Sequence, residues 1–312
     1  MDNGRCRATR QLLGLSDSGR VGYNFPQGVV MGTGLVMEGG AMRGMFTAGV
    51  MDVMMEKGIT FDGAIGVSAG ASFGCNYKSR QIGRVIRYNV RFCHDWRYCS
   101  LRSLLVTGDL YGGRFCYQEI PFRLDPFDVD TYQKNPMHFF VVATDCENGQ
   151  PVYQLCDKGT GVDLRWMQAS ASMPIVSTPS VIDGRRYLDG GIADSIPLRK
   201  FQEMGYGKNV VILTQPLDYV KQPQGKMGLL RWSLRNYPHA LHDLAIRHET
   251  YNAQTAYVRE EERKGTVFAI RPDAALPVGA VCHDANVLMR VYLEGRKVAA
   301  REMAAMEEFL AG

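Results

Sequence analysis

A serine flanked by glycines is the clearest sign of chemistry in this 312-residue sequence. Ser68 lies in the run Gly66-Val67-Ser68-Ala69-Gly70, after a short apolar segment and before small residues that can begin a helix. At such a strand-to-helix turn, the serine hydroxyl projects from the carboxyl edge of a sheet. Glycine is needed on both sides because a side chain would collide with the neighbouring strand and helix. The pattern therefore predicts that Ser68 is a nucleophile.

A glycine-rich loop precedes this serine. It runs from Glu38 to Gly44, between an apolar segment typical of a strand and a segment typical of a helix. Backbone N–H groups in such a loop lie near the positive end of the helix dipole and can stabilise a developing oxyanion. Two other interpretations remain open: a tight turn, or a weak dinucleotide-binding loop, although the spacing does not match G-x-G-x-x-G.

Asp189 is the most interesting candidate for the base. It follows the strand-like residues Tyr187 and Leu188 and precedes Gly190 and Gly191, so its carboxylate would stand at a strand end among small neighbours. The same residues could simply form a turn. Histidine is the usual base for a serine nucleophile. None of the six histidines has a compelling setting: His94, His138, His239, His242, His248 and His283.

Together these blocks resemble the patatin-like phospholipases. The match spans about residues 35–198, in the family's order: the loop 38–44, the turn 66–70 and the Asp189-Gly190-Gly191 motif. The small-residue run 169–174, which ends in Pro174, is also similar. The resemblance implies a three-layer α/β fold and a lipid acyl hydrolase with a Ser–Asp dyad.

The resemblance also assigns roles to individual residues. Ser68 would attack the ester carbonyl and Asp189 would take its proton directly. The oxyanion hole would comprise the amides of Gly39, Gly40 and Ala41, with Arg43 orienting the loop. The remaining motif positions are Gly44, Gly66, Gly70, Gly190 and Gly191.

A lone carboxylate, with an ordinary pKa of about 3.9, is a weak base at neutral pH. The implied mechanism therefore predicts apolar surroundings that raise the pKa of Asp189. Three residues depart from the family pattern: Glu38 stands for the usual Asp, Ala41 for a frequent third glycine, and Ser195 for a frequent asparagine.

Alternating apolar segments predict a mostly parallel α/β sheet with helices on both faces. We expect one domain over residues 31–312, with a helical C-terminal part at 220–312, after a polar leader at 1–30. Predicted strands cover residues 34–37, 61–67, 137–144, 152–155, 209–214 and 266–271, with a hairpin at 181–187. Predicted helices cover residues 43–57, 162–172, 198–204, 228–263 and 285–310, with another from residue 69.

Composition narrows the function classes. A net charge of +4 demands no nucleic-acid partner, and no run of eighteen apolar residues exists. The N-terminus lacks the apolar stretch of a secretory signal, and scattered cysteines suit reduced thiols, so we expect a cytoplasmic protein. Cys93, His94, Cys99 and Cys116 match no usual zinc spacing, so neither metal nor cofactor is predicted.

The segment 81–126 is rich in Arg, Tyr and Gly and is expected to be an irregular cap. Arg80, Arg84, Arg87 and Arg91 would form one basic stripe if Gly83 does not break the helix. With Tyr88, Phe92, Trp96 and Tyr98 interleaved, this stripe could contact anionic lipid at a membrane surface, or simply be a solvated face. Met42, in the glycine-rich loop, is expected near the reacting serine.

Two other functions remain open. One is a Ser-His-Asp esterase that uses one of the later histidines. The other is a non-catalytic protein that binds lipid or nucleotide on the same scaffold, with Ser68 in a purely structural turn.

Overall fold

The computed structural model describes residues 32–225 and 227–312. The predicted leader at 1–30 lies outside these residues. One sheet contains eight strands: β1 (Gly32–Met37), β2 (Gly63–Val67), β3 (His138–Asp145), β4 (Pro151–Leu155), β5 (Ser180–Ile182), β6 (Arg185–Asp189), β7 (Tyr206–Ile212) and β8 (Val267–Ile270).

Ten α-helices surround the sheet in the described part of the chain. They are α1 (Gly44–Glu56), α2 (Ala69–Lys78), α3 (Arg84–Phe92), α4 (Leu101–Thr107), α5 (Val129–Lys134), α6 (Gly161–Ser170), α7 (Leu198–Glu203), α8 (Met227–Ser233), α9 (Pro238–Lys264) and α10 (Ala285–Ala311). A π-helical segment covers Phe115–Leu124, and short 3-10 turns cover Ala41–Arg43 and Gly190–Ile192. None of these helices is both long enough and apolar enough to cross a membrane.

The strands are hydrogen-bonded in the succession β5-β6-β3-β2-β1-β7-β8. β2 and β6 pair with successive stretches of the same edge of β3, and β4 pairs with the other edge. Four pairings are parallel: β3–β2, β2–β1, β1–β7 and β7–β8. The strands β4, β5 and β6 pair antiparallel. The predicted mostly parallel sheet and the antiparallel neighbour at 152–155 are confirmed. The C-terminal part contributes β8 to this same sheet.

Helices cover both faces, which explains why the central strands are apolar at consecutive positions. In β1, Leu35 and Met37 pack into the hydrophobic cluster that includes α1, α2 and α10. Val36, between them, packs into the cluster on the opposite face with Phe201 of α7 and Val258 of α9. The three-layer α/β architecture is therefore confirmed.

The hairpin between β5 and β6 is also confirmed. Asp183 and Gly184 have φ values of 49° and 77°, and two consecutive positive φ values are typical of the tight turn that joins such strands. The predicted helix at 228–263 is instead two helices, α8 and α9. Pro238 lies in the first turn of α9, where the missing N–H has no intrahelical partner to lose.

Two expectations for residues 81–126 are wrong. The segment is largely helical, with α3, α4 and the π-helical segment, rather than irregular. Gly83 has a φ of 72° and lies between α2 and α3, so Arg80 does not share a helix with Arg84. The basic stripe does not form.

Arg84 is buried: its Nη2 and Nη1 donate to the Asp125 carbonyl and to Asn76 Oδ1, at 2.7 and 2.8 Å. Arg87 forms a bidentate ion pair with the Asp125 carboxylate: its Nε donates to Oδ2 and its Nη2 to Oδ1, each at 2.7 Å. Helical spacing alone cannot distinguish arginines that hold two segments together from arginines that face solvent.

Candidate active site

The sheet register brings Ser68 and Asp189 together. Strand β2 runs parallel to β3 and its last pair is Val67 with Val142. Strand β6 runs antiparallel to β3 and its last pair is Asp189 with Ala143, the next residue of β3. β4 pairs with residues 140–144 of β3, which overlap the stretches paired with β2 and with β6, so β4 occupies the other edge of β3. β2 and β6 therefore share one edge and point toward each other along it. The residue after β2 therefore meets the last residue of β6.

Ser68 lies in a strained turn between β2 and α2. Its φ of 54° and ψ of −117° are unusual for a residue with a side chain. The Ser68 N–H donates to Ser170 Oγ at 2.8 Å. Ser170 belongs to the small-residue run 169–174. A Cβ at Gly66 would lie 2.4 Å from the Gly70 carbonyl oxygen, so the glycine at this position is sterically required.

The Ser68 hydroxyl donates to Asp189 Oδ2 at 2.7 Å. The Gly191 N–H donates to the other carboxylate oxygen, Oδ1, also at 2.7 Å. Asp189 is only 2% exposed, and this burial raises its pKa against the opposing effects of the Ser68 hydroxyl, the Arg247 charge and the Gly191 N–H. The pKa shift has the direction that a carboxylate base requires.

The turn after Asp189 is held by two side chains that donate to the Gly191 carbonyl: Arg247 Nε and Ser195 Oγ, the latter at 2.8 Å. Thr144 Oγ1 donates to the Asp189 carbonyl at 2.8 Å. Ser195 therefore supports the turn through its hydroxyl. Arg247 was not found by sequence reasoning, because a single arginine on the polar helix α9 carries no motif.

The glycine-rich loop passes directly beside Ser68. A Cβ at Gly39 would lie 2.9 Å from Ser68 Cβ, and one at Gly40 would lie 2.7 Å from Thr214 Oγ1. Within residues 32–225 and 227–312, the N–H groups of Gly39, Gly40 and Ala41 donate no hydrogen bond. Three unused donors therefore follow one another in a loop that contacts the serine.

Glu38 anchors the start of this loop. Its Oε2 accepts from the Thr214 N–H at 2.6 Å and its Oε1 accepts from the Tyr251 hydroxyl at 2.8 Å. Burial raises the pKa of Glu38, opposed by these two hydrogen bonds and by the Arg43 charge. The Arg43 side chain itself makes no hydrogen bond to another described residue, and its Nε is buried without a partner.

A cavity of about 240 Å³ opens from Ser68. Ala41, Met42 and Ser68 line it on the side of the glycine-rich loop, and Met42 therefore lies near the serine, as expected. The other walls come largely from α2, α6 and the segment 81–127. Apolar and aromatic side chains dominate the walls, including Phe73, Tyr88, Tyr98, Tyr111, Tyr117, Ile120, Pro121, Phe127, Leu164, Met167 and Val176. The segment expected to be an irregular cap is therefore a wall of this cavity.

None of the histidines hydrogen-bonds to Ser68 or Asp189 in the described part of the chain. His138 Nδ1 lies 2.6 Å from Asp157 Oδ2, and His283 Nδ1 lies 2.7 Å from the Cys93 carbonyl oxygen. No group of three or more His, Cys, Asp or Glu side chains among the described residues is placed to hold a metal ion.

Comparison with known families gives two matches. Residues 35–201 match the family described as patatin-like phospholipase, which is more than half of the chain. Residues 237–311 match a domain of unknown function, DUF6363, and include all of α9, β8 and α10.

Two curated proteins and one solved structure are similar to this chain at 28% sequence identity or less. The uncharacterized protein YjjU of Escherichia coli (strain K12) is 28% identical over 268 residues, which cover 84% of this chain and 74% of YjjU. Lysophospholipase NTE1 of Kluyveromyces lactis is 26% identical over 183 residues, 55% of this chain but only 12% of NTE1. The crystal structure of VipD from Legionella pneumophila aligns with a TM-score of 0.50 at 12% identity, covering 88% of this chain and 67% of VipD, and shows a shared fold.

Proposed function

The chain belongs to the patatin-like phospholipase family, and from that premise we propose that it hydrolyses lipid acyl esters with a Ser68–Asp189 dyad. Family membership supports a lipid acyl hydrolase in general. The observation that carries the proposal to specific residues is the 2.7 Å hydrogen bond from Ser68 Oγ to a buried Asp189 carboxylate.

In the proposed reaction, Ser68 Oγ attacks the ester carbonyl carbon while its proton passes to Asp189 Oδ2. The N–H groups of Gly39, Gly40 and Ala41 donate to the resulting oxyanion, and Arg43 supports the loop. The carbon–oxygen bond to the leaving alcohol then breaks, and that oxygen takes the proton from Asp189. A water molecule, activated in turn by Asp189, hydrolyses the acyl-enzyme and restores Ser68.

The cavity accommodates the acyl chain in this proposal. Its volume of about 240 Å³ is slightly below the low end, ~300 Å³, of typical small-molecule pockets, so one acyl chain suits it better than two. We therefore propose a lysophospholipase-type substrate, with a single chain. The name of the NTE1 relative agrees with this proposal, although the alignment covers only a small part of that protein.

A membrane surface is the proposed source of the substrate. Helix α4 exposes Leu101, Leu105 and Val106, which are 73%, 87% and 67% accessible. The helix ends two residues before Asp109, which lines the cavity. We place the peripheral contact on this helix rather than on the arginines of α3, with the protein in the cytoplasm and no nucleic acid or cofactor involved.

Labelling with a fluorophosphonate probe tests the proposal, alongside hydrolysis of short- and long-chain p-nitrophenyl esters with calcium chelated. Wild type should label and turn over, Ser68→Ala should do neither, and Asp189→Asn should lose turnover. Folded wild type that neither labels nor hydrolyses would favour the binding scaffold. A single histidine variant as inactive as Ser68→Ala would favour the Ser-His-Asp esterase.

A further inference from the structure

One face of α9 contacts the segments that carry the proposed dyad. Five residues on this face are spaced alternately by three and four positions, as neighbours on one side of a helix are. They are Leu244, Arg247, Tyr251, Gln254 and Val258. Leu244, Tyr251 and Val258 are buried in the hydrophobic clusters, and Arg247, Tyr251 and Gln254 each donate a side-chain hydrogen bond to a residue outside the helix. The whole helix lies in the region that matches the domain of unknown function.

Arg247 holds the turn that orients the Asp189 carboxylate. Its Nε donates to the Gly191 carbonyl, while the N–H of the same glycine donates to Asp189 Oδ1 at 2.7 Å. The other carboxylate oxygen, Oδ2, accepts from the Ser68 hydroxyl. Because the Gly191 N–H sets the rotation of the carboxylate, Arg247 acts on the base through this glycine.

The positive charge of Arg247 also acts on Asp189. A Cβ at Gly191 would lie 3.0 Å from Arg247 Nη2 and 3.1 Å from Asp189 Oδ1, so the guanidinium and the carboxylate lie on the same side of this glycine. Burial raises the pKa of Asp189, and the Arg247 charge opposes that rise. A carboxylate base acts only while it is ionised, so Arg247 keeps more of Asp189 in the form that accepts a proton. Tyr117, on the π-helical segment, also interacts with Asp189, but burial raises the pKa of its hydroxyl, which therefore stays neutral at acidic and neutral pH.

Tyr251, one helical turn after Arg247, holds the oxyanion loop. Its hydroxyl donates to Glu38 Oε1 at 2.8 Å, and the Thr214 N–H donates to Oε2 at 2.6 Å. Glu38 immediately precedes Gly39, whose N–H is the first donor of the proposed oxyanion hole. The two α9 residues are four positions apart, about 6 Å along a helix axis, so one rigid element sets the separation of the loop and the base turn.

We propose that α9 is a positioning element of the active site, in which Arg247 orients Asp189 and Tyr251 fixes the oxyanion loop. The C-terminal region 237–311 then contributes to the chemical step and is not an appended module. Neither side chain lines the cavity, so both act through their partners rather than by touching the acyl chain. This inference rests on the proposed function for the role of the dyad.

The first experiment measures the pH dependence of kcat and kcat/KM for a water-soluble ester in wild type, Arg247→Gln and Arg247→Lys. Arg247→Gln should lower kcat about 100-fold with little change in KM, since a small displacement of the base has an effect of that order. Its acidic limb should move to higher pH by roughly one unit, because loss of an opposite charge raises the pKa of Asp189. Arg247→Lys keeps the charge and should return the limb most of the way to its wild-type position. Arg259→Gln, which alters an exposed arginine on the same helix, is the control and should change neither.

Each outcome of this experiment decides on the proposal. An unchanged kcat and an unchanged acidic limb in a folded Arg247→Gln protein would overturn it. A fall in kcat without a shift of the limb would mean that Arg247 only supports the fold, and an equal fall in Arg259→Gln would indicate a general effect of charge; either would overturn the proposal as well. A folded wild type without activity would instead refute the proposed function, and this inference with it.

The second experiment tests the loop contact with Tyr251→Phe, which removes one oxygen atom and leaves the ring. Loss of this hydrogen bond to a buried carboxylate should lower kcat about tenfold. The acidic limb should not move, because Tyr251 does not contact Asp189. Tyr257→Phe is the matched control on the same helix, where the hydroxyl donates to Gln202 at 2.6 Å, and should match wild type. Equal kcat values for the two phenylalanine variants would overturn the proposal.

Discussion

Ser68 lies between two regions whose cationic side chains differ in their partners. On the cavity side, the one buried cation, Arg84, is satisfied by Asn76 and by Asp125, whose carboxylate lies 3.4 Å away. Beside the glycine-rich loop and the turn after Asp189, Arg43 and Arg247 have no carboxylate within 4.0 Å in the described chain. The comparison teaches that the partners of a cationic side chain, and not its spacing in the sequence, show whether it holds two segments together.

The cavity side suits the acyl end of the proposed substrate. The cavity wall offers apolar and aromatic surface, whose burial favours an acyl chain in proportion to its length. Ser68 lines this cavity, so changes to Ser68 should affect every substrate, whereas changes to the cavity wall should affect substrates with a long acyl chain.

Ser68→Ala should give the largest effect, because it removes the group common to both sides. We expect kcat/KM to fall about 10³-fold or more for every ester, charged or neutral, short or long. Ser79→Ala, which alters a serine just beyond the end of α2, is the matched control and should stay close to wild type. Appreciable hydrolysis by the Ser68→Ala protein would remove Ser68 from the reaction.

Asp189→Asn should lower activity about 10³-fold and, at neutral pH, stabilise the fold. Burial raises the pKa of Asp189, so its ionised form is less favourable in the folded than in the unfolded state. The stability that Asp189 contributes is fully present below its unfolded-state pKa and is lost as the pH rises through its folded-state pKa.

Urea unfolding at pH 7 and at pH 4 tests this stability prediction. Asp189→Asn should unfold at a higher urea concentration than wild type at pH 7, and the difference should shrink at pH 4. For the same reason, wild-type activity should decline as the pH falls through the raised pKa of Asp189. A variant that is less stable than wild type at pH 7 would show that the carboxylate is needed structurally.

Ile120→Phe should affect the cavity side alone. Ile120 is 2% exposed and lines the cavity, so a larger side chain removes volume needed by a long acyl chain. We expect kcat/KM for a palmitoyl ester to fall about tenfold, with little change for a butyryl ester. Ile120→Leu, of equal volume, is the control. An equal fall for both esters would indicate general distortion instead.

Leu105→Glu should weaken binding to lipid vesicles while sparing hydrolysis of a water-soluble ester. Burial of one leucine side chain contributes about 1.5 kcal/mol, which corresponds to roughly tenfold in vesicle affinity. Leu293→Glu, an exposed leucine on α10, is the control. Equal vesicle binding by the Leu105→Glu protein in a sedimentation assay would exclude α4 as the contact.

Ala41→Gly should give the smallest effect. Ala41 has a φ of 48°, where glycine avoids about 1 kcal/mol of strain, but glycine also gains entropy in the unfolded chain. These terms oppose each other, so the free energy of unfolding should change by less than about 1 kcal/mol. The loss of one methyl from the cavity lining should raise kcat/KM slightly, by less than about fivefold. A tenfold loss would mean that the methyl positions the ester.

Sequence reasoning was strongest where local geometry demands particular residues. The strained turn at Ser68 needs small neighbours, and the hairpin at Asp183 and Gly184 needs positive φ, so both could be predicted from short runs. The buried central strands were equally visible, because a sheet covered on both faces must be apolar throughout. The roles of Ser68, Asp189 and the loop residues stay predictions.

Sequence reasoning failed where a side chain's partner lies far along the chain. The arginines of α3 have the spacing of a surface stripe, and only their packing against residues 124–125 reveals them as structural. Arg247, which contacts the Gly191 carbonyl, lies in a stretch without a motif.

The sequence by itself determined the order of the strands along the chain, the turn that carries Ser68 and the residue types available for chemistry, because these depend on neighbours a few positions apart. Only the tertiary structure decided that β2 and β6 meet on one edge of β3, that residues 81–127 wall a cavity, and that Arg247 contacts the turn after Asp189. Those outcomes depend on long-range pairing and packing, which no local pattern encodes.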